Sequence, residues 1–343
     1  MLKRIYRLVV PSFMRQGINI IRKFPAEANK FRKEYSERGI KFSFMLLFVD
    51  WMLCYVIIGA SSEDYFIYRL YEKSWRCAEQ FVTERRAHFL INKFNGKAED
   101  QRIMVEDKTI FAEVFSEYTK RKIISSENLS EADFRAFLCR MGRVIIKPAD
   151  GYNGMNIYIL RADDDDEAIR RAYDSFSFHK YTIEEVLEQD GLMREINAGT
   201  CNTMRVNVIN NKGTFEIQNA VLRAGYGDKP VDNIHAGGVV SQIDISNGII
   251  VSLFCDRSDR RVLQHPMTGT IIIGKKIPSW EKVKASVTKA AKIISRVKYT
   301  SWDIAVIKDG DVAIVEGNTY GHFDVQQIPA QAGVWEQYRK YLQ

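Results

Sequence analysis

Asp303 in Ser301-Trp302-Asp303-Ile304-Ala305, with Glu316 and Asn318 in Ile314-Val315-Glu316-Gly317-Asn318, gives three oxygen donors near the end of a 343-residue chain. Asp303 and Glu316 lie thirteen positions apart, and the stretch from Val306 to Val312 reads as a strand, a tight Asp309-Gly310 turn and a second strand. Such a hairpin sets the two carboxylates side by side. Glu316 and Asn318, two apart on an extended strand, share a face, which is the geometry for holding Mg2+ against phosphate oxygens. On residue types alone, a polar hairpin edge facing solvent would carry the same pattern.

Upstream, Val144 to Leu160 reads as strand, glycine loop, strand, with Lys147 closing an apolar run and Asp150, Gly151 and Gly154 in the loop. Backbone N–H groups in such a loop can cradle anionic oxygens, and glycines let the backbone approach closely. The P-loop pattern is absent, since no Gly-Lys-Ser/Thr opens a helix here. A plain β-hairpin with a surface lysine is the alternative. Tyr181 to Leu187 follows at a distance suited to a hinge between two lobes, where a backbone amide and carbonyl suit an adenine edge.

These elements, with Cys201-Asn202-Thr203-Met204-Arg205, Val231-Asp232-Asn233-Ile234-His235-Ala236-Gly237-Gly238, His265-Pro266-Met267-Thr268-Gly269 and Trp302-Asp303-Ile304, resemble the sugar-transfer-associated ATP-grasp family over residues 100 to 335. The resemblance implies an α+β fold, an ATP-grasp arrangement of two α+β lobes after a helical, basic N-terminal region. The expected division is 1–100 for that region, 101–180 for the lobe with the glycine loop, and 181–343 for the lobe with the metal triad.

By motif match, Lys108 and Lys147 would hold the phosphates of ATP as flexible point charges. Glu184 would face the adenine amino group, with Glu185 and Leu187 supplying backbone contacts, while Asp303, Glu316 and Asn318 would hold Mg2+. Arg205 would contact the transferring phosphoryl group. Asn202, Arg223, Asn233, His235, Gly237 and Gly238 are the candidates for the acceptor side. His235 is either a base near neutral pH or a structural hydrogen-bonding group, His265 is a turn residue, and Arg223 could equally pair with a carboxylate of its own lobe. The implied activity is ATP-dependent ligation of a carboxylate to an amine through an acyl phosphate in capsule or exopolysaccharide assembly. Its substrates would be a uronic acid to be amidated, or an amino sugar, nucleotide sugar or glycan to be acylated with an amino acid. A kinase acting on a sugar or lipid-linked hydroxyl, or a nucleotide-binding scaffold, could use the same ATP site.

Composition suits a cytoplasmic enzyme: 46% hydrophobic and 12% aromatic residues can bury a large core in two or three lobes. The five cysteines show no paired spacing, which argues for a reducing compartment and against zinc. The net charge of +7 is uneven: residues 1–41 carry +8, with eleven Lys/Arg against three Glu, and the remainder sums to −1. Apolar residues in that arm recur at roughly helical spacing. It reads as a helix on its own body with a solvated basic face, or as a peripheral contact with the inner face of a membrane. Nucleic acid is not an expected partner, and Pro11 interrupts any signal-peptide core.

Phe42 to Ala60 is apolar almost throughout, but Asp50 near its middle would cost about 2.5–3.5 kcal/mol at the centre of a spanning helix. A buried helix is expected, with in-plane membrane contact as the next reading. Gly59 to Tyr65 predicts a helix stop and restart. Further helices are expected over Tyr65–Lys93, Lys108–Tyr118 and Pro278–Val297, and the acidic run Asp163–Glu167 reads as a helix N-terminus. Strands are expected at Val206–Ile209, Phe215–Ile217, Ala220–Arg223 and Val239–Ile243.

Overall fold

The computed structural model describes residues 21–29, 31–32, 36, 43–149, 156–189, 191–226, 232, 234, 237–320 and 323–343. Asp150, Gly151 and Gly154 of the glycine loop, Asn233 and His235 of the acceptor side, and most of the basic arm lie outside these residues. The chain divides into two compact units, residues 1–90 with 331–341 and 343, and residues 91–330 with 342.

The first unit packs around aromatic rings. Phe24 stacks on Trp51 at 4.6 Å between centroids and meets Phe48 and Phe66 at 5.4 and 5.6 Å. Trp51 belongs to helix α1, Phe44–Ile58, which ends at Gly59 with a φ of 70°. That left-handed conformation favours glycine, and the Arg85 side chain packs where a Cβ would stand. The restart is a capping box: Asp64 N donates to Ser61 Oγ at 3.1 Å and Ser61 N to Asp64 Oδ2 at 2.9 Å, opening helix α2, Ser62–Ile67. The helices expected over Tyr65–Lys93 are α2, Trp75–Ala78 (α3) and Glu84–Asn95 (α4).

One expectation fails in this unit. Helix α1 is not buried all round. It buries Trp51, Cys54 and Ile58, while Met45, Leu46, Val49, Leu53, Val56 and Ile57 on the other side are 52–71% exposed. The sequence misleads because both faces are apolar, so no periodicity tells the covered side from the open one.

The second unit holds two antiparallel sheets among the described residues, of four and seven strands. The smaller has the order β1-β4-β2-β3, from Ile123–Ser125 (β1), Arg143–Pro148 (β2), Tyr158–Arg161 (β3) and Tyr181–Glu185 (β4). Helices Glu131–Met141 (α5) and Asp166–Ser175 (α6) pack on one face through Phe134, Leu138 and Ile169 against Val144, Ile146 and Ile183. As the acidic run predicts, Asp165 caps α6 by accepting from Ala168 N at 2.7 Å. Alternation along β2 buries Val144, Ile146 and Pro148, so Lys147 projects from the opposite face.

The larger sheet is built from Thr203–Asn211 (β5), Thr214–Ala224 (β6), Val239–Ile243 (β7), Phe254–Cys255 (β8), Arg261–Val262 (β9), Tyr299–Val306 (β10) and Val312–Asn318 (β11), in the order β11-β10-β5-β6-β7-β8-β9 with β11 at one edge. The two short strands expected at 215–217 and 220–223 are one strand, with a register shift between Asn207 and Val208 of its partner β5. Helix α7, Trp280–Ile293, covers one face, where Val283, Val287 and Ala291 join Met204, Val206, Leu222 and Ile304 in the main core. The other face carries the polar residues of the site.

Candidate active site

The hairpin of β10 and β11 places Asp303 directly opposite Glu316 and Ser301 opposite Asn318. Asp309 and Gly310 both have positive φ, 62° and 66°, in a three-residue 3-10 connection, Lys308–Gly310, closed by Ile307 N donating to Asp311 O at 2.9 Å rather than in a two-residue turn. Gly317 has a separate reason to be glycine. A Cβ there would stand 2.6 Å from Val105 Cγ1 and 2.9 Å from Trp302 Cζ3. The strand therefore lies against the core at Gly317, while Glu316 and Asn318 share the opposite face.

Behind the acids lies a charged network. Arg205, on β5, stands directly opposite Asp303 and grips it with both ends of its fork, Nε to Oδ1 and Nη2 to Oδ2, each at 2.7 Å. Arg223 donates to the same Oδ2 and, at 2.8 Å, to Asp232 Oδ1. Asp232 also accepts from Thr203 N at 3.0 Å and from its hydroxyl. Burial alone would raise Asp303, but the two guanidiniums overcome it and hold the carboxyl far below the ordinary carboxylate range. Glu316, 3.7 Å from Arg205, moves the other way: desolvation and the adjoining Asp303 carboxylate push it up. Its side chain is 47% exposed, against 3% for Asp303, so Glu316 is the member that meets the cavity.

That cavity is about 1010 Å3 and is lined by Lys108, Arg121, Lys147, Glu184, Glu316 and Asn318, among others. A smaller one of about 330 Å3 shares Arg121, Lys147, Glu184 and Val315 with it and adds Ile145, Ile159, Glu185, Val186, Leu187 and Cys201. The shared residues form a partition. Lys147 Nζ donates to Glu184 Oε2 at 2.8 Å, and Arg121 Nε reaches the same oxygen at 2.8 Å. Burial opposes ionisation of Glu184, but Arg121 and Lys147 overcome it and hold the carboxyl at about 2. Thr182 Oγ1 donates to the other oxygen at 3.1 Å, so this carboxylate is held by three of the protein's own side chains. Lys108, at the start of helix Lys108–Val114 (α8), donates to Pro148 O at the mouth of the glycine loop.

Several expected residues turn inward. Asn202 is fully buried, and its amide Nδ2 donates to Met193 O at 2.7 Å and Asn197 O at 2.9 Å. It fixes a loop of its own lobe and lines neither cavity. Arg223 pairs with carboxylates of its own lobe, and Arg205 stands behind the acids, committed to Asp303. His265 is buried, with Nε2 at 2.9 Å from Gly225 O, and holds a turn closed by Gly269 N donating to His265 O at 2.9 Å. Gly237 has a φ of 100°, and a Cβ built there meets nothing within 4 Å.

Two residues of the site escaped sequence reasoning. Arg121 sits in the run Lys120-Arg121-Lys122, which reads as a solvated basic patch, yet it is buried and donates to Ile314 O and Val315 O at 2.9 Å as well as to Glu184. Asp232 lies in a quoted motif, but only its contact with Arg223 reveals its part.

The residues present fit Mg2+. Two carboxylates and an amide form the hard oxygen donor set this ion takes. Asn318 Nδ2 is buried with no partner among the described residues, as expected of an amide whose orientation is completed by a bound group. It begins a row of directly paired residues, Asn318, Ser301, Asn207 and Asn219, each with a buried side-chain atom that is likewise unpartnered.

The family described as sugar-transfer associated ATP-grasp matches residues 85–341, three quarters of the chain. The protein belongs to this family. Similar solved structures include the ATP-grasp ligase PsnB complexed with a minimal precursor, at 16% identity and a TM-score of 0.46, covering 73% of this chain and 63% of that one. D-alanine–D-alanine ligase from Bacillus anthracis is similar at 15% identity and a TM-score of 0.43, with 70% and 66% covered. D-alanyl-alanine synthetase A from Vibrio cholerae O1 biovar eltor str. N16961 follows at 10% and 0.44, with 70% and 64% covered. The chain spans less than two thirds of the length of each. No curated protein matches it.

Proposed function

We propose that this protein is an ATP- and Mg2+-dependent ligase that joins a carboxylate to an amine, with a sugar-bearing molecule as one substrate. The observation that carries the reading is Glu316 and Asn318 on the wall of a cavity that Lys108 and Lys147 also line, with Asp303 paired to Glu316 behind them. The smaller cavity, with apolar Ile145, Ile159, Val186 and Leu187 along the hinge, suits a purine. The larger one, richer in cations, suits the phosphates and the acceptor.

In this scheme a carboxylate oxygen of the substrate attacks the γ-phosphorus and ADP leaves. The amine nitrogen then attacks the acyl phosphate carbon, phosphate departs, and the amine proton passes to the phosphate or to solvent. Lys147 and Lys108 bind phosphate oxygens, and Glu184, held by Arg121, fixes where Lys147 can reach. Asp303, Glu316 and Asn318 would hold Mg2+, which when bound neutralises charge on the phosphates. Arg205 and Arg223 keep Asp303 ionised and oriented. The family's sugar-transfer association supports a saccharide substrate.

Mass spectrometry of the protein with Mg·ATP, pooled amino acids and pooled uronic acids and amino-sugar nucleotides, beside Glu316→Gln, tests this. A condensed product that has lost water and depends on Glu316 is the expected result. A stable phosphorylated product would replace the ligase reading with a kinase.

A further inference from the structure

Helix α1 presents an unusual surface. Met45, Leu46, Val49, Leu53 and Val56 recur three or four positions apart, so they form one stripe along the helix, with Ile57 at its edge. Leu46 is 71% exposed, Val49 52% and Leu53 53%. No charged or hydrogen-bonding residue interrupts the stripe. Asp50, the one charged residue of α1, is exposed on the flank of the stripe, where it accepts a 2.6 Å hydrogen bond from the hydroxyl of Tyr65. The opposite side of the helix is anchored through Trp51, Cys54 and Ile58. This is a firmly mounted element with a bare apolar face, larger than scattered exposed residues require.

We infer that α1 inserts its outer face into the interface of an anionic membrane and lies in the plane of the bilayer. Fifteen residues make a helix about 22 Å long, too short to cross a hydrocarbon core of about 30 Å. No helix among the described residues is long and apolar enough to cross a membrane. Charge selects the occupant. Residues 1–41 carry +8 while the rest of the chain sums to −1, so attraction to a negative surface is concentrated in the segment that precedes the apolar stripe in sequence. Stable peripheral binding needs two signals, and an apolar wedge beside a polybasic segment supplies both. A second copy packed stripe to stripe would have to bring two such +8 segments together.

Co-sedimentation of the full chain with phosphatidylcholine vesicles, with and without phosphatidylglycerol, tests the inference. Binding to the anionic vesicles, weakened by high salt, is expected. The triple variant Leu46→Ser, Val49→Ser, Leu53→Ser should lose it by roughly tenfold or more while keeping its melting temperature, since all three side chains are exposed. Equal binding by the triple variant, or no binding by the wild type, would overturn the inference. So would self-association in sedimentation velocity that the variant abolishes without any vesicle binding, which would make a second copy the occupant. Each readout is independent of ligase activity.

Discussion

The guanidinium of Arg121 holds Glu184 at 2.8 Å and, with its other nitrogens, the carbonyls of Ile314 and Val315, so that one side chain spans from β4 of the small sheet to β11 of the large one. The three groups it joins are the Glu184 carboxylate and two carbonyls of the strand that carries Glu316. Both Arg121 and Glu184 are buried, at 3% and 5% side-chain exposure.

Arg121→Ala should therefore destabilise the protein by about 3–5 kcal/mol, because it leaves a buried carboxylate with Lys147 as its remaining cation. Urea denaturation measures this. Arg121→Lys should not restore the wild-type value, since an ammonium cannot serve the carboxylate and both carbonyls in one plane. If the alanine variant unfolds at the wild-type midpoint, the clamp is dispensable.

Glu316→Gln should cut Mg·ATP turnover by roughly a hundredfold or more. In metal-free buffer the same variant should melt at or above the wild-type temperature, because it removes a like charge beside Asp303. A drop in melting temperature matching the loss of turnover would assign Glu316 a structural role instead.

Asn202→Ala separates a loop anchor from a substrate contact. The lost hydrogen bonds to Met193 O and Asn197 O predict a destabilisation of roughly 1–3 kcal/mol, with the KM of every substrate unchanged. A raised KM at wild-type stability would return Asn202 to the acceptor side.

His265 gives a pH signature. Desolvation lowers its folded pKa below the ordinary 6.5, while the unfolded residue titrates at that value. Its contribution is complete above pH 6.5 and is lost as pH falls below it, where the unfolded chain takes up the proton first. The loss runs at about 1.4 kcal/mol per pH unit until the folded imidazole protonates. His265→Gln, which can still donate to Gly225 O, should lack this acid-side loss when melting temperatures are compared across the range.

What the sequence revealed of the site came from local rules. A hairpin around Asp309-Gly310 brings Asp303 near Glu316, but their direct pairing depends on a register shift between Asp303 and Ile304 that the spacing does not show; alternation along β2 directs Lys147 away from the core. What it concealed depends on partners remote in the chain. Arg121 acquires its role from Glu184, 63 positions on, and Arg223 from Asp303, 80 positions on. Asn202 has a polar side chain in a family motif, and only tertiary packing shows that its donors are spent. The open face of α1 was hidden because hydrophobicity reports what a side chain prefers and not which neighbour arrives to cover it.

Gly317 admits nothing larger than hydrogen between Val105 and Trp302, and it sits between two residues of the triad. Foldability and the proposed metal binding are thus written on alternate letters of the same three-residue word. A descendant abandoning nucleotide chemistry would change positions 316 and 318 while retaining 317. A lone glycine at this place, flanked by residues that cannot bind a cation, would mark a retired enzyme still wearing its fold.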